Sequence, residues 1–349
     1  MSLTTTVIGA FPKPEYLPTP DWFRSGGTGI TNPTEAYSRY LEELPEEIEE
    51  LLDRATADVV RRQVELGIDI PTDGEVRREN YIHYQCRNFA GIDFENLTRL
   101  SLRSGAWVAD VPTITGKIEA GEPILPRDYR VAQAASDRPV KITLPGPLTI
   151  AGSTANTYYR DEAELGADLA TALNREVRAL AEAGCRIIQI DEPVFARTPE
   201  KALAFGFDNL ERCFEGLPEQ VTRVVHMCCG YPDRLDQQDF QKASREAYFQ
   251  LADAIEASSI DAISLEDAHR HFELHLLETF QKTTVIFGSI AIASSRVEPT
   301  EEIANRLSQA LHHIDRDRLM VAPDCGLGYL TGGLAEQKLR NMVAAANQV

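Results

Sequence analysis

Four residues of the types that bind zinc lie at or just beyond the ends of three apolar segments. The segments are VTRVVHMC, DAISLE and LMVAPDC, and the residues are His226, Cys228, Glu266 and Cys325. Each segment has the length and apolar character of a buried strand, whose side chains alternate between two faces. His226 and Cys228 are two residues apart and therefore point the same way. One imidazole, two thiols and one carboxylate form a zinc ligand set, so a zinc site is predicted if these strand ends converge.

The same alternation separates these ligands from the other cysteines. Cys229 directly follows Cys228 and is expected on the opposite face, as a structural thiol. Cys86, Cys185 and Cys213 are interpreted as small buried residues. Six cysteines spread unevenly over 349 residues do not form a disulfide framework. Reduced thiols and a cytoplasmic location are therefore expected.

A second group of candidate metal ligands is the histidine cluster His269, His271 and His275 in the segment HRHFELH. His271 and His275 are four residues apart and would share one face of a helix. The pattern places no carboxylate or thiol beside them to complete a site. A solvated helix is therefore favoured over a second metal.

Acidic residues at other strand ends are candidates for substrate binding. Asp191 and Glu192 are adjacent in IQIDEP, and paired carboxylates are typical of glycosidases. Adjacent strand residues face opposite ways, however, so these two cannot both enter one site without a bulge. Asp191 and Glu75, on different strands, could instead hold a substrate ammonium group beside a metal. The segment 326–333 (GLGYLTGG) matches no phosphate-binding fingerprint and is expected to be a lid or loop.

Alternating strand-like and helix-like segments would position these side chains. Strand-like segments cover 4–10, 68–75, 140–146, 185–193, 222–228, 262–266, 283–290 and 319–325, and helical periodicity covers 42–67, 162–184, 199–216, 238–258, 268–281, 299–314 and 334–347. Eight strands joined by helices predict an α/β fold, a closed (β/α)8 TIM barrel, with a doubly wound open sheet as the alternative. The segment 86–139 is predicted to be an insertion, with VPTITGKIE as one strand of a hairpin. Without a recognisable linker, residues 1–349 are expected to form a single domain.

Composition disfavours several classes of partner. The net charge is −19 and basic residues cluster only in pairs, so neither nucleic acid nor an anionic membrane is an expected partner. No apolar stretch reaches the roughly 18 residues of a membrane span, and the N-terminal segment lacks the features of an export signal. In a barrel the C-terminal strand ends build the active site. Here they carry acids, a histidine and thiols, which indicates an enzyme.

Together these motifs resemble the catalytic half of cobalamin-independent methionine synthase. The matching segments cover nearly the whole chain in the family's order: TTTVIGAFP, GIDIPTDGEVRRE, LPGPLTI, IQIDEP, VVHMCC, ISLE and APDCGL. The resemblance implies a barrel in which zinc on the four residues named first activates the thiol of homocysteine for methylation to methionine. It also implies that Glu75 and Asp191 bind the ammonium group of homocysteine. The backbone of Ile8, Gly9 and Ala10 would receive its carboxylate.

The chain departs from the family mainly on the side of the methyl donor. At 349 residues no room is expected for the second barrel that helps hold polyglutamylated folate, and Ala10 replaces a serine of the carboxylate site. The family's tryptophan after GP-x-TI is missing, and Tyr158 or Tyr159 are its candidate substitutes. Ala291 and Ala293 replace the family's Asp-x-His, so no general acid is assigned.

That loss favours a donor other than methyl-folate. A general acid is worth about 10²–10⁴ in rate where the leaving group needs a proton, and a folate nitrogen needs one. A methyl-corrinoid does not. The net charge of −19 also opposes a polyglutamate tail. A corrinoid carrier or a dedicated partner protein is therefore preferred as the donor.

Two other functions remain open at this point. The acceptor could be a different thiol, such as a coenzyme thiol, although Glu75 and Asp191 would then lack an ammonium partner. The chain could also be a non-catalytic, zinc-stabilised binding module, which zinc with four protein ligands and no open position would favour. A new sulfur in the zinc shell on adding homocysteine would indicate catalysis.

Overall fold

The computed structural model describes residues 2–19, 33–44, 47–102, 107–230, 234–237 and 242–349. Its strands are β1 (Thr4–Thr5), β2 (Phe89–Leu102), β3 (Trp107–Ala120), β4 (Lys141–Pro145), β5 (Ala155–Asn156), β6 (Ile187–Asp191), β7 (Thr222–Met227), β8 (Ala262–Leu265), β9 (Thr284–Gly288) and β10 (Leu319–Ala322). Its α-helices are α1 (Pro33–Glu42), α2 (Ile48–Glu65), α3 (Tyr81–Cys86), α4 (Leu125–Ala134), α5 (Pro147–Ala151), α6 (Glu162–Glu182), α7 (Pro193–Arg197), α8 (Pro199–Lys201), α9 (Phe207–Phe214), α10 (Ala247–Ala257), α11 (Thr300–Ala310) and α12 (Gly332–Gln348). A π-helical turn covers Ala202–Gly206, and 3-10 turns cover Leu274–Thr279 and Arg316–Arg318.

Seven parallel strands form the central sheet in the order β1-β10-β9-β8-β7-β6-β4. Both edge strands approach the same short segment, because Thr6 bridges to Ile70 and Thr72 bridges to Lys141. The sheet is therefore curled, and the fold is α/β as predicted. The predicted strand at 4–10 is regular only over Thr4–Thr5.

The predicted strand at 68–75 is reduced to these two bridges for local reasons. Pro71 has no N–H to donate to a ladder. The side-chain amide of Gln63 takes both backbone groups of Thr72, accepting from its N–H at 2.9 Å and donating to its carbonyl at 3.0 Å. The hydroxyl of Thr72 donates to the carbonyl of Gly9 at 2.8 Å. Side chains thus replace the strand pairing that the apolar pattern predicts.

Alternation along the strands divides the apolar core into two parts. Inward-facing side chains form a small cluster that contains Ile8, Val224, Ala262, Ile286 and Ala322. Outward-facing neighbours such as Val225 and Met227 belong to the larger core shared with the surrounding helices. His226, between those two outward residues, therefore faces inward. The parity predicted from the sequence is confirmed for this strand.

The segment predicted as an insertion forms an antiparallel hairpin of β2 and β3, and VPTITGKIE lies in β3. Strand β5 extends this small sheet by pairing parallel with β3. The carboxylate of Glu176, on α6, accepts the N–H groups of Ile124 and Leu125 at 2.9 and 2.6 Å, which anchors the start of α4. Within the described residues, no helix is long and apolar enough to cross a membrane.

Candidate metal and substrate site

Three of the four predicted zinc ligands lie together at the C-terminal ends of the parallel strands. His226 belongs to β7, Cys228 follows it, and Cys325 follows β10. The Nε2 atom of His226 is 3.3 Å from the Sγ atom of Cys325. One potential ligand atom from each of the three residues lies within 4.8 Å of the others. These donors are spaced so that one ion could contact all of them.

The orientation of His226 suits a metal ligand. Its Nδ1 atom is 3.0 Å from the hydroxyl of Ser264 on β8, which leaves Nε2 directed at the thiols. Burial lowers the pKa of His226, so the ring is neutral, as metal binding requires. A hydrogen bond from the second ring nitrogen is the usual way of fixing a metal-binding histidine.

The two thiols differ in charge state. The hydrogen bond that Cys325 provides is the main cause that lowers the pKa of Cys228, and the same contact raises the pKa of Cys325. These opposite shifts favour a pair that shares one proton, with the thiolate at Cys228 and Cys325 donating to it. A thiolate is the form that binds metals, and a metal can displace the second proton. The donor set of one imidazole and two sulfurs fits zinc.

Glu266 lies beside this cluster with its carboxylate held by protein groups. Oε1 accepts the backbone N–H of Cys229 at 3.0 Å, and Oε2 accepts from Nζ of Lys242 at 2.9 Å. Burial and the negative charge of Cys228 together raise the pKa of Glu266 to about 8, against the opposing charge of Lys242. Glu266 also lies within 4.8 Å of ligand atoms of His269 and Asp324. A side-chain hydrogen bond to Cys228 connects Glu266 to the three-residue cluster.

Glu75 and Asp191 lie near each other on the inner side of the curled sheet. Asp191 ends β6 and pairs in register with His226. Burial raises the pKa of Asp191 to about 7, an effect that His226 offsets and Glu75 reinforces. Glu75 is also buried, with a raised pKa, and its Oε1 accepts from the hydroxyl of Thr143 at 2.9 Å. Glu75 also lies 3.6 Å from the guanidinium group of Arg78, so this pair of buried carboxylates is partly neutralised by the protein and can still receive a cation.

Glu75 has an unusual backbone. Its φ of 55° lies in the left-handed region, which residues other than glycine rarely adopt. A Cβ atom added to Gly9 would collide with Oε1 of Glu75. The missing side chain at Gly9 therefore makes room for the carboxylate, and the strained backbone aims it inward.

The three backbone positions predicted to receive a carboxylate lie next to this pair. Their carbonyl oxygens already accept hydrogen bonds: Ile8 from Gln189 at 3.0 Å, Gly9 from the hydroxyl of Thr72 at 2.8 Å, and Ala10 from the N–H of Leu327 at 2.8 Å. A substrate carboxylate would therefore approach their amide groups. Glu192 points away from this site, as the alternation predicts. It accepts from Leu148 and Thr149 at the start of α5.

The histidine cluster does not form the predicted solvated helix. Between residues 268 and 281 the regular element is the 3-10 turn Leu274–Thr279. The carboxylate of Asp324 accepts the N–H groups of Asp267, Ala268 and His269 at 2.7 to 3.0 Å and so fixes this loop. A local sequence pattern cannot reveal an anchor 55 residues away.

The sequence pattern places no carboxylate beside these histidines, but the fold brings two of them next to carboxylates. Nδ1 of His269 is 2.7 Å from Asp324, and its Nε2 accepts the backbone N–H of Ala293 at 3.1 Å. Nδ1 of His271 is 2.8 Å from a carboxylate oxygen of Asp267. His275 packs on the ring of Phe249 instead. His269 thus has both ring nitrogens engaged.

Ala291 and Ala293 are buried in the loop after β9. They line a cavity of about 600 Å³ together with charged side chains of both signs, among them Lys242, Asp267, His269, Arg270, Arg296 and Arg306. The buried ion pair of Lys338 and Glu298 holds the loop at Ala291. Lys338 donates to the carbonyl of Ala291 at 3.1 Å, and the backbone N–H of Ala291 donates to Glu298 at 3.0 Å. The loop is well fixed but offers methyl groups in place of acids.

The other donor-side candidates are placed as follows. Tyr158 is exposed. The hydroxyl of Tyr159 donates to Asp168 at 2.7 Å and accepts the N–H of Ile118 at 2.8 Å, which ties it to the hairpin. Part of the GLGYLTGG segment lines a separate cavity of about 790 Å³ beside residues 11–15.

Three site residues were missed by the sequence analysis. Ser264 precedes Glu266 by two residues on a strand, so parity could have found it. Lys242 lies in an irregular loop without any periodic signal. Tyr81, at the start of α3, is near enough to Asp191 and the cysteines for their charges to add to the burial that raises its pKa.

Comparison with known proteins adds a family to this geometry. The family model described as "Cobalamin-independent synthase, Catalytic domain" matches residues 3–348. The methionine synthase of Sulfolobus acidocaldarius is 30% identical over 344 residues, covering 98% of this chain and 90% of the relative. That of Thermococcus kodakarensis is 31% identical over 345 residues, covering 98% and 91%.

Solved structures agree with these relatives. A B12-independent methionine synthase from Shewanella sp. W3-18-1, in complex with selenomethionine, matches with a TM-score of 0.85 and 28% identity, covering 99% of this chain and 97% of that one. A methyltransferase from Methanosarcina mazei matches with a TM-score of 0.61 at 14% identity, covering 99% and 94%, which indicates a shared fold.

Proposed function

Because the chain belongs to the family of cobalamin-independent methionine synthase catalytic domains and is a methyltransferase, we propose that it methylates the thiol of homocysteine at a zinc ion. The observation that carries the proposal is the convergence of His226, Cys228 and Cys325, with Glu266 at their edge. These groups lie at the strand ends where α/β enzymes of this architecture place their chemistry.

We propose that His226, Cys228, Glu266 and Cys325 hold the zinc. When bound there, the ion would supply a site at which a substrate thiol is deprotonated and nucleophilic. Ser264 fixes the orientation of His226, and the thiolate state of Cys228 prepares the site for a cation. The sulfur of the substrate then forms a bond to the methyl carbon as the bond from that carbon to the donor breaks.

Glu75 and Asp191 are proposed to bind the ammonium group of homocysteine, and the amides around Ile8, Gly9 and Ala10 its carboxylate. Their burial supports this role, because a buried pair of carboxylates gains most from a cationic partner. The selenomethionine bound by the Shewanella relative is an analogue of the methylated product. An acceptor thiol without an amino group, such as a coenzyme thiol, would offer no ammonium group to Asp191, and Glu75 would keep only its ion pair with Arg78 at 3.6 Å.

We propose that the methyl donor is a corrinoid or a methyl-carrying partner protein, with methyl-folate as the alternative. A methyl-corrinoid releases its methyl group without needing a proton. Ala291 and Ala293 cannot supply one, and both ring nitrogens of His269 are engaged. The positions at which the family is expected to carry its general acid therefore supply no proton in this chain, which favours a leaving group that departs without one.

The proposal extends to the architecture and the location. The bridges from Ile70 and Thr72 to the two edge strands place the segment 70–72 where an eighth strand would close the sheet. We therefore propose a closed (β/α)8 barrel in a single domain of residues 1–349. All six cysteines are free, which supports a reducing, cytoplasmic location.

A donor screen tests the function. Zinc-loaded protein is incubated with homocysteine and methylcobalamin, methyl-folate triglutamate, or cell extract, and methionine is measured. Methionine from the corrinoid or only with extract is expected. Efficient turnover of methyl-folate triglutamate would overturn the donor assignment. No methionine under any condition, together with no uptake of homocysteine sulfur by the zinc, would favour a zinc-stabilised binding module.

A further inference from the structure

Lys242 is a buried cation at the metal site that belongs to no predicted ligand set. Its Nζ is 2.9 Å from Oε2 of Glu266, and the two side chains are 12% and 5% exposed. Burial lowers the pKa of Lys242, but the negative charges of Glu266 and Cys228 outweigh burial, and the pKa is raised. Lys242 also lines the cavity that contains Ala291 and Ala293.

Glu266 differs from the other three ligands in how its donor atoms are occupied. His226, Cys228 and Cys325 direct donor atoms at one another. The carboxyl group of Glu266 also interacts with Cys228, but in addition each of its oxygens accepts a hydrogen bond from a group outside the cluster, Oε1 from the N–H of Cys229 and Oε2 from Lys242. Its carboxylate therefore has a complete resting position at the edge of the cluster.

Such a resting position matters for ligand exchange. A carboxylate displaced from a metal in a buried site loses its counter-charge, and an unpaired buried charge is strongly unfavourable. An ammonium group already in contact removes that penalty. A carboxylate has about four lone-pair sites, so Glu266 can keep the contact to Lys242 whether or not it also binds the ion.

We propose that Lys242 is a positioning residue that holds the carboxylate of Glu266 when the thiol of the substrate takes its place on the metal. This inference rests on the proposed function. With a metal ion held by these residues, the exchange would replace the oxygen of Glu266 by the sulfur of the substrate. The thiol proton passes to water, and the carboxylate remains anionic against Lys242. One anion thus replaces another, and the charge at the metal is unchanged.

Three variants and one control test this role in the cobalt-loaded protein, whose visible spectrum reports sulfur coordination. Lys242→Met removes the ammonium, Lys242→Gln keeps a donor without charge, and Lys242→Arg keeps the charge. The matched control is Lys201→Met. Lys201 pairs with Glu162 at 2.6 Å and does not line the cavity that Lys242 lines.

Titration with homocysteine gives the readout. We expect Lys242→Met to bind cobalt but to take up the thiol at least about tenfold more weakly, because a buried charge pair has lost one partner. Lys242→Gln should show the same defect, Lys242→Arg should recover part of the affinity, and Lys201→Met should match the unmodified protein. Zinc affinity, measured by chelator competition, should not fall in Lys242→Met.

Other outcomes overturn the inference. Unchanged thiol affinity in Lys242→Met would show that Glu266 needs no receiving cation. Loss of metal or of folding in all three Lys242 variants would assign Lys242 a structural role. If the unmodified, metal-loaded protein itself takes up no homocysteine sulfur, the proposed function has failed, and that result is distinct from a failure of Lys242 alone.

Discussion

The thiol side and the donor side of the site are built differently. On the thiol side buried polar atoms engage one another in matched pairs, such as His226 with Ser264 and Glu266 with Lys242. On the donor side Ala291 and Ala293 face a cavity of about 600 Å³. If the proposed function holds, the difference teaches that the acceptor is specified by fixed atoms of this chain, whereas the donor would bring its own reactivity.

The loop on the donor side is held in place as firmly as the thiol side. The loop that carries Ala291 is held by the buried pair of Lys338 and Glu298, and the N–H of Ala293 donates to His269. A rigid loop would position an acid well if one were present. The loop keeps its positioning contacts without the groups that they would position.

The largest effect is expected from breaking the thiol side at the metal. Cys325→Ser removes one of the three converging donors, so zinc affinity should fall by more than the roughly 10–100-fold that loss of an outer partner costs. Chelator competition and metal analysis measure it. Cys229→Ser is the matched control, because Cys229 contacts Tyr248 on the opposite face. Full zinc retention in Cys325→Ser would exclude the proposed ligand set.

The next effect concerns recognition of the amino acid. Glu75→Gln or Asp191→Asn should raise the KM for homocysteine by about 10–10², since a hydrogen bond to a charged group contributes about 1.5–3 kcal/mol. The same variants should have little effect on 4-mercaptobutanoate, which lacks the amino group. Equal losses with both thiols would mean that the two acids do not bind the ammonium.

A smaller effect is expected from pH. Burial raises the pKa of Asp191 to about 7, so lowering the pH through 7 protonates the carboxylate and removes its attraction for the ammonium. KM for homocysteine should rise by up to about tenfold per pH unit below 7, and kcat should change less. Asp191→Asn is the control and should have a flatter KM profile. A rise in KM toward higher pH would contradict this assignment.

The smallest effect tests the donor side. Ala291→Asp combined with Ala293→His places an acid and an imidazole in the cavity. With methylcobalamin the rate should change by no more than about threefold, because acid catalysis accelerates only leaving groups that need a proton. A large gain with methylcobalamin would show that proton delivery limits the reaction. Methionine formation is the measurement, and a thermal melt confirms folding.

Strand parity predicted much of the site because it is a local property. The facing of His226 and Cys228, the opposite orientations of Asp191 and Glu192, and the hairpin at VPTITGKIE all follow from a two-residue period. Some periodic helices were found with small errors at their ends; for instance, α12 begins at Gly332 instead of residue 334. Others were not: of the helix predicted over 238–258, residues 238–241 lie outside the described residues and the helix begins only at Ala247, and the one predicted over 268–281 is replaced by a loop and a 3-10 turn.

The features that the sequence did not predict depend on contacts between distant residues. Gln63 takes the backbone groups of Thr72 and prevents a regular strand there. Asp324 holds the loop at His269 and prevents a helix. Lys242 reaches Glu266 from an irregular loop. Each of these contacts is made by a single side chain, so none of them produces a periodic pattern in the sequence.

The left-handed backbone at Glu75 has a consequence for the descent of such proteins. A non-glycine residue in this conformation costs about 1–3 kcal/mol, so selection for stability alone would favour glycine at position 75. Only the need for a carboxylate opposes that change. In a descendant that no longer uses an amino-acid substrate, we expect glycine to appear at position 75 early and a side chain to become tolerated at Gly9. These two positions would then record the loss of the activity before the metal ligands do.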